Sequence, residues 1–256
     1  MNMRWKLRRT MNNTVSSIGI IGYGRFGSFF ADQVLPVVFP NAEIRISSQS
    51  HQDKRVMSFK QVVSSDLIIP AVPIRSLPEV LSKIADHIHQ ESIVMDVCSV
   101  NVFPARLMKE FLPKHTSIIS THPMFGSSSY EKVEHDLSKL TIVMYPLQIN
   151  KMNYDPIYEA FKTILKVIEM SPEAHDRKTA QFQFLSHLLG GVLHQLDIKR
   201  SLIDTESASR MFDMMEVLNN DSMELFEDIY HYNPYAQEEF KKFNSAYKSV
   251  TNHLKS

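Results

Sequence analysis

The sequence predicts an α/β domain followed by an all-α domain, and three observations carry that reading. From Ile18 onward, short apolar runs alternate with helical patterns, as a parallel sheet with crossover helices requires. The first run ends on Gly22-Tyr23-Gly24-Arg25-Phe26-Gly27, a glycine spacing that turns a strand sharply into a helix. After Met170 the strand-like runs stop and only helical periods continue.

The elements follow in order. Ile18 to Ile21 reads as a buried strand, and the helix after the glycines carries Phe26, Phe29, Phe30 and Val34 before Pro36 weakens it. Glu43 to Ser47 is the second strand and Asp66 to Val72 the third. Leu77 to Ile88 is a helix with Pro78 in its first turn. Ile93 to Val97 and Ser117 to Thr121 flank a helix from about Phe103 to Leu112. Thr141 to Tyr145 and Val167 to Met170 are the last strands, with an amphipathic helix between them. Ser171 is a good N-cap and Pro172 suits a first helical position, so a helix begins there and Gln181 to Lys199 continue it. These boundaries give residues 1–14 as a disordered extension, 15–171 as the α/β domain and 172–256 as the helical domain.

Bulk properties remove several function classes. The chain has 256 residues, 43% hydrophobic and 22% charged, which is ordinary for a globular protein. Its 28 basic and 28 acidic side chains cancel, so no net field draws nucleic acid or acidic lipid, and neither is expected as a partner. No apolar stretch approaches the ~20 residues that span a bilayer. Arg4, Lys6, Arg8 and Arg9 lack the apolar core of a secretory signal. The single cysteine, Cys98, excludes an internal disulfide framework and fits a reducing compartment, so a cytoplasmic location is expected.

In its strand-turn-helix context the glycine motif reads as a Rossmann-like dinucleotide-binding loop. Gly22 permits the tight turn, Gly24 lets the backbone approach a pyrophosphate, and Gly27 lets helix and strand pack closely. The helix start then offers amides and a positive dipole end to the phosphates. Tyr23, Arg25 and Phe26 complete this cofactor-binding loop. An NAD enzyme usually carries an acid at the end of the second strand, to accept from the ribose hydroxyls. Here Ser47-Ser48-Gln49 stand there, with no acid until Asp53. That uncharged loop tolerates a 2′-phosphate, and Lys54, Arg55 or Arg25 could supply the charge. NADP is therefore expected, with NAD the alternative if the serines form only a polar turn.

Two segments follow strands at the carboxyl edge, where open α/β sheets bind ligands: Asp96-Val97-Cys98-Ser99-Val100-Asn101 and Ser120-Thr121-His122-Pro123-Met124-Phe125-Gly126. His122 stands at a strand end before a stiffening proline, and a neutral imidazole there could take a proton from an alcohol as hydride leaves the same carbon. A structural or solvated histidine is the competing reading.

The string Thr121-His122-Pro123-Met124-Phe125-Gly126 resembles the signature of the prephenate/arogenate dehydrogenases of tyrosine biosynthesis. Asp96-Val97-Cys98-Ser99-Val100-Asn101 resembles their Asp-Val-x-Ser-Val-Lys motif. His175-Asp176, Ala180, Gln183, His187 and Gly190 resemble the motif opening their helical domain. Asn219-Asn220-Asp221-Ser222 and Asn233-Pro234-Tyr235-Ala236 are similar to the later part of the arogenate-type branch. The resemblance runs from about Ile18 to Leu254. It implies oxidative decarboxylation of arogenate or prephenate with hydride transfer to NADP or NAD, no metal, and a homodimer built by the helical domain. It also implies that His122 is the base or polarising group and that Ser99 orients the substrate hydroxyl.

On the long helix, Asp176, Ala180, Gln183, His187, Gly190 and His194 recur at steps of three and four and form one stripe. Its mixture of polar and small residues suits a face lining a cleft, with Gln183 and His187 as substrate contacts. A solvated face, or a helix contact eased by Ala180 and Gly190, competes with that reading. Phe182, Leu185, Leu189, Val192 and Leu196 form an apolar stripe, expected to be core or dimer seam. Asn101 replaces the family's lysine, and Gly191 stands where an arginine often follows the glycine. Glu216 aligns with an arginine that pairs a substrate carboxylate, leaving Arg210 as the nearest cation. Glu216 could favour the ammonium of arogenate instead. Two other readings stand beside the enzyme: a non-catalytic dinucleotide-binding regulatory dimer, and a related Rossmann/helical dehydrogenase acting on another small acid.

Overall fold

A computed structural model describes residues 15–49, 54–220 and 222–255, without the side chains of 216–220. The expected extension over residues 1–14 lies outside the described residues, as does Asp53. The chain divides into one unit ending at Pro172 and another beginning at Glu173.

The first unit is built on a seven-stranded sheet in the order β2-β1-β3-β4-β5-β6-β7. Strand β1 (Ser17–Ile21) is buried throughout, as a strand covered on both faces must be. It pairs in parallel with β2 (Glu43–Ser47) on one side and β3 (Leu67–Pro70) on the other. Strands β4 (Ile93–Met95) and β5 (Ser117–Pro123) extend the parallel run. The expected parallel sheet then departs from prediction: β6 (Thr141–Gln148) pairs antiparallel with β5, and β7 (Lys166–Glu169) pairs in parallel with β6. Direction follows from the connection. Residues 124–140 hold only a short helix and a 3₁₀ turn, so the chain returns from the same edge instead of crossing over.

Helix α1 (Arg25–Phe29) runs through a π turn (Phe30–Val34) into α2 (Leu35–Val38). Pro36 lacks the amide a regular helix would use, and the helix loosens just before it without ending. Phe30 from that turn stacks on Phe161 at 6.5 Å within α7 (Lys151–Ile164), which anchors one layer of helices on the sheet. Between these come α3 (Phe59–Val63), α4 (Leu77–Ala85), α5 (Val102–Phe111) and α6 (Ser127–Lys132). Below the site, Asp66 fastens the strand starts: its Oδ2 accepts from the amides of Ser16 and Ser17 at 2.8 and 2.9 Å and from both hydroxyls.

The second unit is helical among its described residues: α8 (Pro172–Thr179), a π turn (Ala180–Phe184), α9 (Leu185–Gln195), α10 (Glu206–Asn220), α11 (Met223–Tyr232) and α12 (Ala236–His253). Phe184 is its buried centre, stacked on Phe226 and Tyr230 and edge-on to Phe240. Asn233 joins distant segments: Nδ2 donates to the Asp176 carbonyl at 2.9 Å and Oδ1 accepts from the Tyr235 amide. The helix expected to reach Lys199 stops at Gln195, and Asp197 adopts φ 48° two residues later.

Candidate functional site

The three glycines of the first turn do three different things. Gly22 has φ +99°, a conformation that side chains rarely adopt, and a Cβ there would overlap the Ala71 carbonyl oxygen. A Cβ on Gly27 would overlap the Gly22 carbonyl oxygen, so this glycine is where helix and loop touch. Gly24 is different: its φ and ψ of −76° and −167° suit any residue, and a Cβ would meet no protein atom within 4 Å. Packing does not require a glycine at Gly24, but a phosphate approaching the backbone would. The loop therefore fits a dinucleotide pyrophosphate, with the start of α1 supplying amides and positive dipole.

The loop is joined to the end of β2, where the Gly22 amide donates to the Ser47 carbonyl at 2.9 Å. Ser48 is half-buried and Gln49 exposed. Of the cations proposed from sequence, Arg55 is held against this corner. Its Nη2 donates to the Tyr23 hydroxyl at 2.7 Å, its Nη1 pairs with Asp32 at 2.8 Å, and Tyr23 donates to Asp32. Arg25 turns to the β5–β6 connection and donates to Ser128 Oγ at 3.0 Å. Lys54 is exposed. An open groove of about 510 Å³ runs between α1 and that connection, lined by Arg25, Ser28, Asp32, Ser127, Tyr130 and His135. Phe26 packs against Phe29 and Phe30 as part of the core beneath.

His122 differs from its expected position. The sequence places it past a strand end, whereas it lies inside β5, opposite Val143 of β6, and is 4% exposed. The antiparallel partner is the reason: β6 carries the ladder two residues beyond Thr121, while the parallel pairing with β4 stops at Met95–Ile119. Beyond that point the β4 side is held by a side chain. Asp96, fully buried, accepts from the Thr121 amide through Oδ1 at 3.0 Å and from the Cys98 amide through Oδ2 at 3.3 Å. Its carbonyl also accepts from the Thr121 hydroxyl. Burial pushes the Asp96 carboxyl up to about 7, against the opposing bonds from Thr121 and Cys98 and a smaller one from Ser120. Ser99, half-buried, follows directly after Cys98. Asp96 was visible in its motif, but its role depends on β5 lying alongside, which local sequence does not reveal.

In the helical unit one stripe of the long helix is largely buried and the other partly exposed. Asp176, Ala180, His187 and Gly190 are buried, while Phe182, Val192 and Leu196 are exposed. His187 stacks on Phe226 at 6.2 Å, and its Nδ1–H donates to the Gln183 carbonyl at 2.7 Å. That bond selects the tautomer in which Nε2 is the acceptor. Among the described residues, Gln183 Oε1 is buried without a hydrogen-bond partner. Gln183 lies in the π turn, a departure from helix geometry that occurs often at functional sites. His175 and Asp176 form a buried pair at 2.8 Å. Arg210, the cation nearest Glu216 in sequence, is exposed and, among the described residues, pairs with Glu206 at 3.3 Å. The side chain of Glu216 lies outside the described residues, as does Asp221. The candidates thus fall into two groups, each within its own unit: the glycine loop, Ser47–Gln49, Ser99 and His122 in the first, Gln183 and His187 in the second.

Comparison with known proteins places this geometry. Residues 45–163 match the family model for the prephenate dehydrogenase nucleotide-binding domain, and residues 192–256 match a TYRAAT1-like C-terminal domain. The chain is 28% identical over 251 residues to a chloroplastic arogenate dehydrogenase 2 of Arabidopsis thaliana, covering 93% of this chain and 69% of that protein. Its fold matches prephenate dehydrogenase from A. aeolicus, solved with hydroxyphenyl propionate and NAD+, with TM-score 0.70 and 20% identity, covering 94% of this chain and 89% of the other. Synechocystis arogenate dehydrogenase matches with TM-score 0.68 and 17% identity, over 93% and 92% of the two chains.

Proposed function

We propose that the chain is an enzyme of the prephenate/arogenate dehydrogenase family and catalyses the oxidative decarboxylation of arogenate, or of prephenate, with NADP preferred over NAD. The observation that carries this reading is the presence, in one unit, of an open glycine cradle at Gly24, His122 inside β5, and Ser99 in the segment that follows the neighbouring strand β4. When bound, the nicotinamide supplies the hydride acceptor. The protein's part is to hold the pyrophosphate on Gly22, Gly24 and Gly27 and to manage one proton. His122, buried on β5, takes the proton of the substrate's ring hydroxyl, and Ser99 orients that hydroxyl. The hydride leaves the carbon that bears this hydroxyl, and loss of CO₂ then leaves an aromatic phenolate, to which His122 returns the proton; aromatisation supplies the driving force.

Arg55 beside Tyr23, and the uncharged Ser47–Gln49 corner, support NADP. Gln183 and His187 are assigned to substrate contacts, with Glu216 opposite an ammonium and Arg210 in reserve as a cation. The exposed stripe of Phe182, Val192 and Leu196 supports a homodimer seam, since a helix face this apolar rarely stays in water. Among the described residues no helix is long and apolar enough to cross a membrane. Cys98, the single cysteine, is buried and in no disulfide, which suits a reducing compartment such as the cytoplasm.

The test follows reduced-nicotinamide absorbance with arogenate and with prephenate, each with NADP and NAD. Turnover is expected fastest with arogenate and NADP. A strong preference for prephenate would remove the role given to Glu216. Intact cofactor binding with no turnover in all four mixtures would replace the enzyme with the regulatory reading.

A further inference from the structure

Resting on the reading of His122 and Ser99 as the reacting pair, we propose that Asp96 is a positioning residue that sets the spacing between them. The ladder between β4 and β5 ends at Met95–Ile119, so the pairing of these two strands stops short of both Ser99 and His122, and β6 holds the far side of β5 only. One carboxylate closes that gap. Oδ2 holds the Cys98 amide, one residue before Ser99, and Oδ1 holds the Thr121 amide, one residue before His122. The Thr121 hydroxyl returns a third bond to the Asp96 carbonyl. All three groups are buried, so water cannot replace a lost partner cheaply. A carboxylate also costs much to bury, and burial holds this one near neutrality. An apolar side chain would pack the strand end without that cost. It could not hold two backbone amides, on two segments, in one fixed relation.

The experiment compares Asp96→Asn, which keeps the shape and one acceptor oxygen, with Asp96→Ala, and adds Thr121→Val, which removes only the hydroxyl donor. Turnover is counted per cofactor-binding site, titrated with NADP, so unfolded protein does not contribute. NADP affinity is expected to stay within about twofold in all three variants. Loss of aligned geometry costs on the order of a hundredfold when reacting groups shift by about 1 Å. We therefore expect kcat to fall about thirtyfold or more in Asp96→Ala with KM moving less than threefold, and Asp96→Asn to recover part of the loss. If Asp96→Ala does not fold, a tenfold loss of kcat per site in Asp96→Asn or Thr121→Val carries the same meaning. Per-site kcat within twofold of wild type in the folded variants, with only thermal stability lowered, overturns the proposal. The His122 ring resonances, followed by NMR in the cofactor-bound protein without substrate, separate this from failure of the functional reading. They are expected to move in Asp96→Asn even if neither substrate is turned over, and unmoved resonances overturn the positioning role.

Discussion

Replacing Gly24 by alanine should stabilise this protein while weakening its hold on the cofactor. The backbone at Gly24 is extended and open to any residue, and the added methyl meets no protein atom within 4 Å. Removing glycine's freedom in the unfolded chain at such a position is worth about 0.4–1 kcal/mol. For a protein this size that corresponds to a rise of about 1–4 °C in Tm. The same methyl stands where a pyrophosphate must approach the backbone, so NADP affinity should fall at least tenfold, which is about 1.4 kcal/mol. Gly27→Ala is the control of opposite kind. Its methyl overlaps the Gly22 carbonyl oxygen, with the carbonyl carbon next at 3.1 Å, so helix and loop must separate. Such overpacking costs about 1–3 kcal/mol, and the protein should lose stability even without cofactor. Differential scanning fluorimetry reads the first effect and fluorescence titration with NADP the second. A Gly24→Ala protein that binds NADP as tightly as wild type would refute the assignment of this loop to a pyrophosphate.

Three other outcomes are expected. His122→Asn should lower turnover by about 10²–10⁴-fold, the range of general acid–base catalysis, with NADP affinity near wild type; retained turnover in steady-state assays would remove His122 from the site. Asp96 is held up to about 7 by burial, so between about pH 4 and 7 the folded state binds a proton that the unfolded state releases. The stability this contributes is complete at about pH 4 and lost as pH rises through 7, with a ceiling on the order of 4 kcal/mol. Urea unfolding at pH 5 and pH 8 should show wild type weakening relative to Asp96→Asn, and parallel trends would contradict the buried carboxyl. Leu196→Glu, at a side chain 61% exposed, should leave Tm nearly unchanged yet shift a dimer towards monomer in sedimentation velocity. A variant that remains dimeric would place the seam elsewhere.

Much of the fold can be read locally because its signals are local. Apolar runs of four or five residues, helical periods and the Gly22, Gly24, Gly27 spacing depend on neighbours in sequence, and the strands fall close to where those patterns put them. The start of α8 at Pro172 follows from Ser171 and the proline alone. The motif around His122 was legible as a string of residue types, and so was the Gln183 to His187 spacing.

What tertiary structure decided concerns direction, partner and depth. A strand pattern carries no sign of which way its neighbour runs, so the antiparallel return of β6 came only from the short 124–140 connection. That return drew His122 and Pro123 into the ladder. The stripe of Gln183 and His187 reads as a polar face by period, yet His187 is buried against Phe226, because which face a helix buries depends on what packs on it. Asp96 is the sharpest case. Its sequence neighbours mark it only as an acid at a strand end, and the Thr121 amide that gives it a task is 25 residues away. The order of residue types belongs to the chain itself, but which segments lie side by side, as Asp96 and Thr121 do, is decided only on folding.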